Sequence, residues 1–97
     1  MIINYYAEIS DWMGCTEEEV SVASGMDPEI PVRRIMSVLA VRHGDTFRKK
    51  IYDPASDTVC DDIFILLNGR HLARLKGLDS MAADNDTLAV IPVTEAG

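Results

Sequence analysis

The chain has 97 residues, 47% of them apolar, and nine basic against sixteen acidic side chains give it a formal charge of −7. That length and apolar share suit one domain around one hydrophobic core and exclude a disordered chain. No apolar run approaches the roughly 18 residues of a membrane span and no basic segment opens the chain, so it reads as soluble and cytoplasmic, with no membrane partner.

The charge is uneven. Residues 1–30 hold seven acids and no Lys or Arg, whereas six of the nine bases lie between Arg33 and Lys50. The Arg48-Lys49-Lys50 run reads as a solvated helix face rather than a nucleic-acid contact. The acidity fits a partner with a basic docking surface and equally fits solubility alone. Cys15 and Cys60 stand far apart, outside any CxxC, with only His43 and His71 as further ligands. They read as reduced thiols, and no metal site is expected.

In chain order, residues 2–7 (IINYYA) are β-branched and aromatic, as strands are. Residues 8–14 space Ile9 and Trp12/Met13 as a short helix stopped by Gly14, with Trp12 capping the end of the core. Residues 18–23 (EEVSVA) alternate, putting Val20 and Val22 on one face of a strand. Gly25 to Pro28 is a turn or loop.

The main helix begins near Pro31, a residue suited to a first helical position, with Val32, Ile35, Met36 and Leu39 as its apolar stripe and Gly44 beyond its end. His43 at its C-terminus sits where the helix dipole favours positive charge. Phe47 and Ile51 suggest a further helical turn, and residues 53–57 a loop. Residues 63–67 (IFILL) form a continuous apolar run, the pattern of a strand buried on both faces. Asn68-Gly69 predicts a type I′ hairpin turn, which requires positive φ at both central residues, with a return strand over 70–73. Residues 75–83 are irregular, with Leu78 and Met81 plugging the core. Asp84-Asn85-Asp86 is a turn, and residues 87–93 (TLAVIPV) are the last strand, whose Pro92 suggests an open edge or a bulge.

The order β-β-α-β-β-β predicts an α+β fold of the β-grasp (ubiquitin-like) kind, a mixed sheet of four to five strands around one main helix. A right-handed crossover places the last strand beside the first. The domain spans residues 1–93. Thr94-Glu95-Ala96-Gly97 has too little apolar surface to anchor itself and is expected to be a flexible tail.

These motifs resemble the MoaD/ThiS family of small sulfur carriers. That family shows an "NG" hairpin, a "GLDTPL" stretch, a "DGDEV" turn and an ending such as "FPPVAGG". This chain has Asn68-Gly69, Gly77-Leu78-Asp79-Ser80-Met81, Asp84-Asn85-Asp86-Thr87-Leu88 and Ile91-Pro92-Val93-Thr94-Glu95-Ala96-Gly97. Upstream, residues 6–14 resemble the family's "FATLRELAG". The molybdopterin synthase small subunits fit better than the shorter thiamine-pathway carriers. The resemblance implies a non-enzymatic carrier with no cofactor of its own. Its Gly97 carboxylate would be adenylated by an E1-like adenylyltransferase using ATP, converted to a thiocarboxylate, and presented to the large subunit of molybdopterin synthase. Thr94, Glu95, Ala96 and Gly97 would thread the partner's site, and Tyr6, Leu72, Ile91 and Pro92 would form the partner-binding face. Two residues depart from the pattern: Ala96 replaces the penultimate glycine, and Glu95 brings a charge. A protein modifier joined through Gly97 and a non-conjugating interaction domain are the alternative readings.

Overall fold

Ile63–Leu67 and Thr87–Pro92 pair antiparallel at the middle of the molecule, and the other elements are arranged around that pair. The computed structural model describes residues 1–22 and 28–96. In chain order they form β1 (Ile2–Tyr5), α1 (Glu8–Met13), β2 (Glu17–Glu19), β3 (Glu29–Pro31), α2 (Val32–His43), α3 (Asp45–Lys50), β4 (Tyr52–Asp53), β5 (Thr58–Val59), β6 (Ile63–Leu67), β7 (Arg70–His71), β8 (Met81–Ala83), β9 (Thr87–Pro92) and α4 (Val93–Ala96). Short 3-10 turns at Leu72–Arg74 and Gly77–Asp79 connect β7 to β8.

The principal sheet has the order β2-β1-β9-β6-β7. As expected from the crossover, β9 lies beside β1 in parallel, with Ile2 opposite Thr87 and Tyr5 opposite Val90. Alternation then decides the two faces. Ile3, Tyr5, Ile63, Ile65, Leu67, Leu88 and Val90 point inward and join Val32, Ile35, Met36, Leu39 and Ala40 of α2 in one buried cluster. This is the α+β, β-grasp arrangement, a mixed five-stranded sheet holding one main helix.

The helix stripe, the α1 stop and the hairpin turn follow the expectation. Gly14 is left-handed at φ 76°, and Asn68 and Gly69 both have positive φ, 52° and 83°. The turn is also tied to the central strand. Asn68 Oδ1 accepts from the Thr87 N–H at 2.9 Å, and Asn68 Nδ2 donates to Asp86 Oδ1 at 3.0 Å.

Several boundaries differ. Pro31 caps α2 in an extended conformation instead of opening it, because Glu29–Pro31 is engaged as β3 against β8, a pair the sequence pattern did not reveal. Met81 consequently sits 48% exposed on that small sheet rather than plugging the core, and Ala82 is the buried residue there. The strand expected over 18–23 stops at Glu19, although Val20 and Val22 are both buried. The loop expected at 25–28 lies outside the described residues except for Pro28. The 53–57 segment is the tip of the β4–β5 hairpin, and the 70–73 strand ends at His71. Val93 has left the last strand: its N–H donates to the Asp62 carbonyl at 2.8 Å and it begins the helical turn α4.

Candidate functional site

Among the described residues no helix covers the outer face of the principal sheet, and the alternation of β1, β9 and β6 furnishes it. Ile2, Asn4 and Tyr6 line up beside Ala89 and Ile91, with Phe64 opposite Ile91 and Leu66 opposite both Ala89 and His71. Tyr6 is 46% exposed, and Ile91, Phe64, Leu66 and His71 are half-buried. The imidazole of His71 meets the Phe64 ring edge-on, with centroids 4.6 Å apart. Its Nδ1 accepts from the Ala73 N–H at 3.0 Å, which places the proton of the neutral ring on Nε2. The result is an apolar surface with aromatic members and a polar tip, the composition found at the centre of protein interfaces.

Two of the four expected face residues, Tyr6 and Ile91, are on this surface. The other two are not. Leu72 is 5% exposed in the 3-10 turn after β7, where it joins the core, and Pro92 is buried at the end of β9 opposite Ile63. Phe64, Leu66 and His71 take their place. They were hidden because an unbroken apolar run reads as buried on both sides, whereas β6 is buried only at Ile63, Ile65 and Leu67. The available signal was positional: register with β9 puts residue 64 beside 91, but that register is a tertiary fact.

The strand that supplies Ala89 and Ile91 to this face leads on to the chain end. β9 runs through the sheet centre, and α4 begins directly after Pro92, with Thr94 exposed. Glu8, Trp12, Lys49, Lys50, Asp62 and Thr94 surround a groove at the root of α4. Trp12 is half-buried against the core, as expected of a core cap, and the Lys50 ammonium lies 4.5 Å from its ring centroid. Glu95 and Ala96 belong to the helical turn, and Gly97 lies outside the described residues.

At the opposite sheet edge Glu18 turns inward and gathers a polar cluster. It accepts from Tyr5 Oη at 2.7 Å, from Arg42 Nη1 at 2.7 Å, and meets His43 Nε2 at 2.5 Å. Burial pushes the Glu18 carboxyl up, but the hydrogen bonds from Tyr5, Arg42 and His43 outweigh it and hold the acid below its ordinary range. Burial, and then Glu18, pushes the Tyr5 phenol well up. His43 is thus a structural partner of Glu18 as well as a helix-end residue. Burial also raises the Cys15 and Cys60 thiols, reinforced by Glu18 in the first case and by Asp62, Asp61 and Asp53 in the second. A thiol shifted upward is a poor nucleophile at neutral pH. Among the described residues no group of His, Cys, Asp and Glu side chains converges as a metal site, and no helix is long and apolar enough to cross a membrane.

No protein-family model matches the chain, and no curated protein matches it by sequence. Solved structures do. A protein assigned as molybdopterin converting factor, subunit 1, from Pyrococcus furiosus is 23% identical at TM-score 0.69, over 94% of this chain and 93% of that one. Small archaeal modifier protein 1 from Methanosarcina acetivorans is 18% identical at TM-score 0.72, over 99% and 94%. A chain of the BexX/CysO complex of Amycolatopsis orientalis is 18% identical at TM-score 0.70, over 94% and 92%. The chain therefore has the MoaD/ThiS-like, ubiquitin-like fold.

Proposed function

We propose that this chain, built on the fold of the ubiquitin-like sulfur carriers, is itself a sulfur carrier that works through the carboxylate of Gly97. The reading rests on one observation: the central strand β9, which supplies Ala89 and Ile91 to the open apolar face, ends at Pro92, and the described chain goes on from there as the turn α4 (Val93–Ala96). A partner that grips Tyr6, Phe64, Leu66 and Ile91 thereby receives the chain end in a fixed direction. Such positioning converts an encounter between two free groups into an oriented one.

The chemistry belongs to the partners. A carboxylate is a poor electrophile until an adenylate is attached as leaving group, so an E1-like adenylyltransferase would form the Gly97 acyl-adenylate from ATP with release of pyrophosphate. Attack by a sulfur donor then expels AMP and leaves a thiocarboxylate. The name of the Pyrococcus relative favours delivery of that sulfur to a pterin precursor in the large subunit of molybdopterin synthase. A terminal glycine without Cβ suits a narrow activating channel. Thr94, Glu95 and Ala96 would occupy that channel, with Ala96 and Glu95 tightening its steric and electrostatic demands on the enzyme.

The second reading, a protein modifier joined through Gly97 to lysine amines, is favoured by the likeness to the small archaeal modifier. Intact-mass analysis after incubation with the activating enzyme, ATP and a sulfur donor separates the two. A gain matching exchange of one oxygen for one sulfur at Gly97 is the expected result. Isopeptide-linked lysines in target proteins would establish the modifier instead. Partner function that survives deletion of Ala96-Gly97 would sink both.

A further inference from the structure

The chain carries nine basic residues, and the three that follow the main helical region all fall within Arg70–Lys76. The side chains of Arg33, Arg42 and Arg48 are each paired with acids. Arg70, Arg74 and Lys76 are exposed and make no ion pair with any described residue, in a molecule with sixteen acids to offer. Arg34, Lys49 and Lys50 likewise make no ion pair with any described residue, so it is the place of Arg70, Arg74 and Lys76 beside the open sheet face that sets these three apart.

The fold gathers these cations at one place. Arg70 is on the edge strand β7, Arg74 closes the 3-10 turn that follows, and Lys76 lies two residues on. Arg70, Arg74 and Leu75 line two adjoining grooves. One has Phe64, Leu66 and Ile91 on its walls and so continues the open sheet face, and the other reaches Lys76 and Met81. At the far edge of the same sheet, β2 exposes Glu17 and Glu19. Four strand spacings of about 4.8 Å separate the two edges. The open face is thus apolar in the middle, acidic along one edge and basic along the other.

We infer that the Arg70–Arg74 rim, with the Phe64–Leu66–Ile91 floor beside it, docks a peptide segment of a partner protein in which acidic residues alternate with apolar ones. This rests on the reading of the open face as the partner surface and adds the chemistry of the partner. An extended segment places alternate side chains on opposite sides, so one set can reach the apolar floor while the other meets the guanidinium groups. Arginine forks hold carboxylates bidentately and fix orientation. The opposite edge repels the same acids, so the segment is accepted in one lateral position, which also sets the direction in which the chain end points. A nucleic acid is disfavoured, because a chain of net charge −7 with a glutamate-lined edge opposes a polyphosphate backbone.

The test is a nitrogen-15 NMR titration of the full chain with three probes: a short synthetic peptide alternating Glu and Leu, the matching Lys/Leu peptide, and a single-stranded oligouridylate. The Glu/Leu peptide is expected to move the amides of Leu66, Arg70, His71, Arg74 and Ile91. R70E combined with R74E, both exposed positions at which circular dichroism is expected to show the fold intact, is expected to weaken that peptide about tenfold or more. Binding retained within about twofold in that variant, or tighter binding of the Lys/Leu peptide or the oligouridylate at the same amides, would overturn the inference. The oxygen-to-sulfur mass gain at Gly97 is measured separately. A protein that gains sulfur yet ignores the acidic peptide refutes only this inference, and one that binds the peptide but never gains sulfur refutes only the carrier reading.

Discussion

Single residues carry more of this protein's strain and pH response than its composition suggests. Ala7 holds φ 52° and ψ −137°, a conformation native almost exclusively to glycine, at the junction of Tyr6 with α1. It is tolerated because the Ala7 carbonyl accepts from both the N–H and the hydroxyl of Ser10, which locks the start of α1. Ala7→Gly is therefore expected to raise the stability in urea by about 1 kcal/mol, with no loss of the helix. Glu18 is expected to contribute to the acid sensitivity of the fold. Hydrogen bonds hold its folded pKa below the ordinary glutamate value, so its contribution is fully present above that ordinary value and is lost as pH falls through the lower folded one. Glu18→Gln should cost about 1–2 kcal/mol at neutral pH, held down by water around the exposed Arg42. It should also flatten the acid limb of a melting-temperature profile. An unchanged acid limb would show that Glu18 is not the group responsible.

Among the elements, the β6–β7 hairpin links the core to the candidate surface. Ile63, Ile65 and Leu67 anchor β6 inside, Phe64 and Leu66 face out, and the turn presents Arg70 and His71 at the sheet edge. Gly69 has φ 83° with open space where a Cβ would be, so Gly69→Ala meets backbone strain alone. The expected cost is about 1–2 kcal/mol in chemical denaturation, with the hairpin shifts moving most in a proton–nitrogen spectrum. A neutral outcome would mean that the turn had relaxed to another type. The chain end is the other element that matters. Its α4 turn begins where Val93 swaps a strand partner for the Asp62 carbonyl, so the last strand stops at Pro92.

At the scale of the molecule, the parallel pairing of β1 with β9 joins the first strand to the last and closes the fold. The sheet centre, with Ile3, Leu88 and Val90 fully buried, should unfold only globally. In hydrogen exchange, the amides that bridge β1, β9 and β6 are expected to be the slowest, and those of the two-residue β4–β5 hairpin much faster. Slowest exchange in the β3–β8 pair instead would move the stability centre to the periphery. One-sided coverage of the sheet is also what leaves the candidate surface open: α2 takes the inner face, and among the described residues no helix covers the apolar outer face.

The helix stripe from Val32 to Leu39, the Gly14 stop, the Asn68-Gly69 turn and the order of elements were legible in the residues, because each depends on local periodicity or on one backbone conformation. The β-grasp class followed from that order. The β3–β8 pair, the half-exposure of Phe64 and Leu66, and the burial of Leu72 and Pro92 were not legible. Each depends on which strand lies alongside and in what register, and an apolar side chain reads the same whether its neighbour is a helix or water. The cationic rim is the clearest case. The sequence shows Arg70, Arg74 and Lys76 close together, but only the folded sheet sets them beside an apolar floor with the glutamates of β2 at the far edge.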